Sequence, residues 1–93
     1  MTRTLDEARQ ALDAVDRKMV ALFEERMQVS REIARIKRAM GKDVLDASRE
    51  AQVLESRTAM LSDAALSDAV KELYATVMRL SREEQRKVMA EHD

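Results

Sequence analysis

Between Leu5 and Met40 apolar residues recur at alternating spacings of three and four: Leu5, Ala8, Leu12, Val15, Met19, Leu22, Val29, Ile33, Ile36 and Met40, with Arg26 at the one remaining position. A stripe of that period runs along one side of an α-helix. Thr4-Leu5-Asp6-Glu7 has the form of a capping box, in which Thr4 accepts from a backbone N–H three residues on and Glu7 reaches back. At the other end Gly41, the only glycine, suits a left-handed C-terminal position, and Lys37, Arg38 and Lys42 suit the negative end of the helix dipole. The pattern predicts one helix from about Thr4 to Met40. Such a helix is about 55 Å long, whereas a compact chain of this length has a radius of gyration of about 12 Å. One copy cannot cover the stripe, so the geometry predicts a homodimer, and monomeric elution in gel filtration would overturn that.

The rest of the chain predicts two shorter helices. Residues 41 to 45 read as a loop. Asp46 reads as the N-cap of a helix turning Ala47, Ala51, Leu54 and Met60 or Leu61 inward and ending before Ser62-Asp63. Residues 62 to 67 form a second connection, with Ser67 as cap of a helix that buries Val70, Leu73, Tyr74, Val77, Leu80 and Val88 and runs to about Met89. Glu91-His92-Asp93 should fray. The expectation is an all-α single domain over residues 1–93, with three helices per chain.

Composition narrows this further. Proline is absent and the aromatics are only Phe23 and Tyr74, which argues against turn-rich β folds and leaves Leu, Ile, Val, Met and Ala to build a core. With no cysteine and a lone histidine, His92, there is no disulfide framework, thiolate nucleophile or histidine metal cluster to expect. A net charge of −1 favours neither nucleic acid nor an anionic membrane. The first residues lack an apolar signal core, and the longest apolar run is Met19 to Phe23, so the expectation is a soluble, cytoplasmic protein.

Several polar residues break the apolar pattern. Arg26 places a guanidinium in the stripe, which is costly without an anionic partner; it is either a register-setting polar residue of a coiled coil, or in an ion pair with a glutamate of the partner helix, or a ligand-binding residue. Lys37 lies eleven residues on, within about 20° of the same face and about 16 Å further along. The pair leaves room for a small dianion, although a lysine there also serves a helix dipole. Ser81 and Gln85, four residues apart, continue the inward face of the third helix, as donors toward an oxygen-rich ligand or because that helix becomes exposed beyond Leu80. Asp46 has a sufficient role as a cap, and Arg49 and Glu50 in the turn after it as solvated charges. With no nucleophile–base pair, glycine-rich loop or metal ligand set, any reaction would rest on positioning and charge stabilisation.

Taken together, Arg9, Leu12-Asp13-Ala14-Val15-Asp16, Glu25-Arg26, Lys37, Val44-Leu45-Asp46-Ala47-Ser48-Arg49-Glu50, Ser81 and Gln85 stand in an order and spacing that resembles the all-helical class of chorismate mutase, from about Leu5 to Val88. The resemblance implies an intertwined helical homodimer that converts chorismate to prephenate, a unimolecular pericyclic step in aromatic amino-acid biosynthesis, without a cofactor or metal. It implies that Arg26 clamps one substrate carboxylate with Ser81 nearby, that Lys37 serves a carboxylate and the ether oxygen, and that Gln85 donates to the same ether oxygen. Glu50, with Asp46 and Arg49, would hold the ring hydroxyl. Arg9 would bind the other carboxylate; about 26 Å from Arg26 along one helix, it could do so only from the partner subunit. Asp43 stands where the family commonly has proline, and Met27 follows Arg26 where a charge would be unsurprising. Two other readings are an isochorismate-pyruvate lyase on the same fold and a non-enzymatic helical dimerisation module in which Arg26 is a buried ion pair.

Overall fold

The computed structural model describes residues 2–91. It contains α1 (Leu5–Met40), α2 (Ala47–Ala59), a single 3-10 turn (Ala64–Leu66) and α3 (Ser67–Met89), with no strand among the described residues. The all-α, three-helix expectation therefore holds. The expected fraying of His92 and Asp93 lies outside the described residues, as does the lone histidine itself; Glu91 lies beyond the end of α3.

The helix ends follow the local chemistry. Thr4 Oγ1 accepts from the Glu7 N–H at 3.1 Å, and the Glu7 carboxylate accepts from the Thr4 N–H at 3.1 Å; these bonds hold the Glu7 carboxyl below its ordinary pKa. Gly41 closes α1 at φ 68°, its N–H donating to Arg38 O, while the Lys42 N–H reaches back to Lys37 O at 2.9 Å. That left-handed conformation is strained for other residues, although a Cβ would meet nothing there. Asp46 caps α2 by accepting from the Arg49 N–H at 3.0 Å. Ser67, expected as the cap of α3, is instead its first residue. Asp63 caps the preceding 3-10 turn through the Ala65 N–H, and the Ser67 N–H donates to Ala64 O. The turn feeds directly into the helix, so no side-chain cap is needed there.

Contacts between Ser30 and Ser81, Arg31 and Glu84, and Arg38 and Val88 O show that α3 runs alongside α1 in the same direction. Helix α3 packs against both α1 and α2, whose backbones do not approach each other. The chain is flat and elongated, 57 × 28 × 14 Å with a radius of gyration of 16.9 Å, against about 12 Å for a compact chain of this length. Its buried apolar residues are Met27, Ala34, Val53, Met78 and Val88, joined by the polar Ser30, Ser81 and Gln85.

Burial corrects the predicted faces. Within one chain α1 buries Met27, Ser30 and Ala34, not its apolar stripe: Leu5, Leu12, Val15, Met19, Leu22, Val29, Ile33, Ile36 and Met40 are all exposed. In α2 the buried residue is Val53; Ala47, Ala51 and Met60 are exposed, and Leu54 and Leu61 half-buried. Helix α2 meets only α3 among the helices, and that contact turns Val53 inward. In α3, Leu73 is exposed and Val70, Tyr74, Val77 and Leu80 are half-buried, while Met78, Ser81, Gln85 and Val88 form the inner row. No helix of the described chain is long and apolar enough to cross a membrane.

Candidate active site

Because α1 and α2 are both held by α3 but not by each other, a cleft of about 580 Å³ opens between them. Arg26 and Lys37 reach it from α1, Asp46, Arg49 and Glu50 from the first turn of α2, and Ser81 and Gln85 from α3. Seven of the eight residues singled out in the sequence thus meet around one cavity. Arg9 does not; it is exposed on α1, well toward the N-terminus and away from the cleft within this chain.

On the α1 wall, Arg26 is half-buried with its guanidinium 6.0 Å from the centroid of the Tyr74 ring, within cation–π range. It has no carboxylate partner among the described residues. Burial pushes the guanidinium below its ordinary pKa; Tyr74 opposes this, while the neighbouring Arg57 and Arg49 add to it. Lys37 Nζ donates to Val44 O at 2.7 Å. That bond ties the loop to the end of α1 and leaves two ammonium N–H groups for the cleft.

The α3 wall is polar but buried. Ser81 and Gln85 are only 6% and 8% exposed, so the inward face of α3 stays covered beyond Leu80. Ser30 Oγ and Ser81 Oγ lie 2.6 Å apart, and Gln85 Nε2 donates to Ser81 Oγ at 3.3 Å. Gln85 Oε1 is buried without a partner, a condition that costs about 1–3 kcal/mol when no ligand or water relieves it. If Ser30 donates to Ser81, the Ser81 proton is free to turn toward the cleft.

The α2 wall combines capping with charge. The Arg49 N–H and the Ser48 hydroxyl hold the Asp46 carboxyl below its ordinary pKa. Arg49 Nη1 donates to Gln52 Oε1 at 2.7 Å. Glu50 is ion-paired with Arg82 of α3, a link that joins the first turn of α2 to the helix carrying Ser81 and Gln85. Glu84, the sequence neighbour of Gln85, points to the other side of α3, where Lys87 and Arg31 hold its carboxyl below the ordinary value.

The cleft also contains residues that sequence reasoning missed. Ser30 follows Arg26 by four residues and lies on the buried stripe of α1. Arg57 follows Glu50 by seven and Val53 by four, so a helical projection of α2 would have put all three on one face. Arg82 had no readable signal, because its pairing with Glu50 joins positions thirty-two residues apart.

No curated protein and no solved structure matches the chain. A family does match, over residues 8–86, a span that includes α2 whole, most of α1 and α3, and every residue of the cleft named above. Its description is chorismate mutase type II, an all-α family, and the chain described here belongs to it.

Proposed function

We propose that this cleft carries out the chorismate mutase reaction by holding the compact, reactive conformer of a flexible dianion and by stabilising charge that grows on the breaking ether oxygen. No nucleophile or proton transfer is required. Arg26 grips one carboxylate, with the Ser81 hydroxyl beside it. Lys37 serves a carboxylate and the ether oxygen, and Gln85 donates its amide N–H to that oxygen. Gln85 Nε2 already donates one N–H to Ser81 Oγ at 3.3 Å, and its second N–H is the one offered to the ether oxygen. Glu50, oriented by Arg82, accepts from the ring hydroxyl, with Asp46 and Arg49 organising the same turn.

What carries this reading is the pairing across the cleft of two cations in no ion pair among the described residues, Arg26 and Lys37, with the buried neutral donors Ser81 and Gln85. A dimerisation module has no use for that arrangement. Charge acts most strongly in a water-poor site whose donors need no reorganisation during the reaction.

The second carboxylate is assigned to Arg9 of the partner subunit. A homodimer would place the exposed apolar stripe of α1 against a second chain, and eleven of the fifteen exposed large apolar residues lie on that helix. Activity would then depend on association.

The direct test follows the absorbance of chorismate with purified protein and converts the product with acid to phenylpyruvate, which identifies prephenate. Conversion to prephenate is expected, and Arg26→Ala should lose most of it at sub-saturating chorismate, mainly through a raised KM. A folded protein that leaves chorismate unchanged would overturn the assignment, and isochorismate would be the next substrate to present.

A further inference from the structure

The cleft holds more positive charge than the proposed reaction uses. Arg26, Lys37, Arg49, Arg57 and Arg82 line it, against Glu25, Asp46 and Glu50 among the described residues. Arg82 is accounted for by its ion pair with Glu50, and the others, Arg57 excepted, have roles assigned above. Arg57 is half-buried, donates through Nη1 to Ser56 Oγ at 2.9 Å, and has no carboxylate partner among the described residues. It lies on the cleft face of α2, two turns and about 10 Å past Glu50, away from the loop end where Lys37 holds Val44 O. Its charge is felt at Arg26 on the opposite wall, whose guanidinium it helps push below the ordinary pKa. Like charges that converge in a partly desolvated cleft repel, and an anion bound between them removes that cost.

We propose that Arg57 is a further substrate-binding residue, which grips together with Arg26 the same carboxylate of the bound dianion, so that one chain supplies two guanidiniums to it. This rests on the assignment of Arg26 to a substrate carboxylate. The charge being bound is present in ground state and transition state alike, so the loss should fall mainly on KM.

The test is steady-state kinetics of Arg57→Gln in the full chain, beside a thermal melt. KM is expected to rise about tenfold with kcat within a few-fold of the parent, and the melt is expected not to fall. Arg57→Lys should recover part of the loss, restoring the charge without the planar fork. In the double variant with Arg26→Gln, the combined loss should be smaller than the product of the single losses, as for two groups on one ligand atom set. An unchanged KM in Arg57→Gln, with the parent active, overturns this proposal and leaves the mutase assignment intact. If the parent is inactive, malonate decides the anion site separately. A rise in melting temperature that is smaller in Arg57→Gln than in the parent supports it, and equal rises overturn it.

Discussion

Lys37 and Gln85 differ from the other polar residues of the cleft in what they are asked to do. In the proposed reaction both would face an oxygen whose charge develops only as the ether bond breaks, whereas Arg26 would meet a charge that is always present. Removing either donor should therefore lower kcat. By analogy with a lost oxyanion donor the loss is about 2.7–4 kcal/mol, or about a hundred- to thousandfold. Rates of Lys37→Ala and Gln85→Ala at saturating chorismate check this, and an unchanged kcat for Lys37→Ala refutes its role. Because the donor is an amide and Glu84 points away from the cleft, activity should show no steep loss between mildly acidic and neutral pH. At this scale Arg26, Ser81 and Gln85 of the candidate site were readable as polar groups where the local pattern called for apolar ones, whereas Lys37, Asp46, Arg49 and Glu50, each with an ordinary role in a cap or at a helix end, entered only through the family resemblance. Arg82 was not readable, since a tertiary ion pair leaves no trace in local periodicity.

Among the elements, α2 is the least secured, packed only on α3 and tied by the Asp46 cap, the Glu50–Arg82 pair and the loop bond from Lys37. The Asp46 carboxyl sits below its ordinary value of 3.8 because its charged form accepts from the Arg49 N–H and Ser48. A lowered folded-state pKa means stability that is present above 3.8 and lost as the pH falls through the folded value. Glu84, lowered from 4.5 by Lys87 and Arg31, acts in the same direction. The melting temperature should thus be nearly flat from neutral pH down to about 4.5 and fall below it. Asp46→Asn, which keeps the cap but removes the charge, should give a shallower fall; coincident pH profiles of the two proteins would show that the cap charge does not contribute. The α2 element was predicted with the right cap and the wrong buried face. Its two alanines fit the period, but only contact with α3 decides which side of a short helix loses water.

At the scale of the whole molecule, the exposed stripe of α1 and the isolation of Arg9 from the cleft have one joint consequence. If each site takes Arg26 from one chain and Arg9 from the other, Arg9→Ala and Arg26→Ala are each nearly inactive alone. Unfolding and refolding them together would create mixed dimers with one intact site, restoring about a quarter of parental activity. No recovery from mixtures shown to exchange subunits would place Arg9 outside the site. The periodic stripes, the capping box, Gly41, the Asp46 cap and the absence of proline were enough to determine three helices, their approximate ends and the excess length of α1, because these depend on backbone conformation and on neighbours within a turn or two. Which stripe α1 buries within its own chain, how α2 is rotated, that Arg57 faces Arg26 and that Arg82 pairs with Glu50 were decided only by the tertiary structure. Those outcomes depend on contacts between helices far apart in sequence, where the shape and charge of one surface select the face of the other.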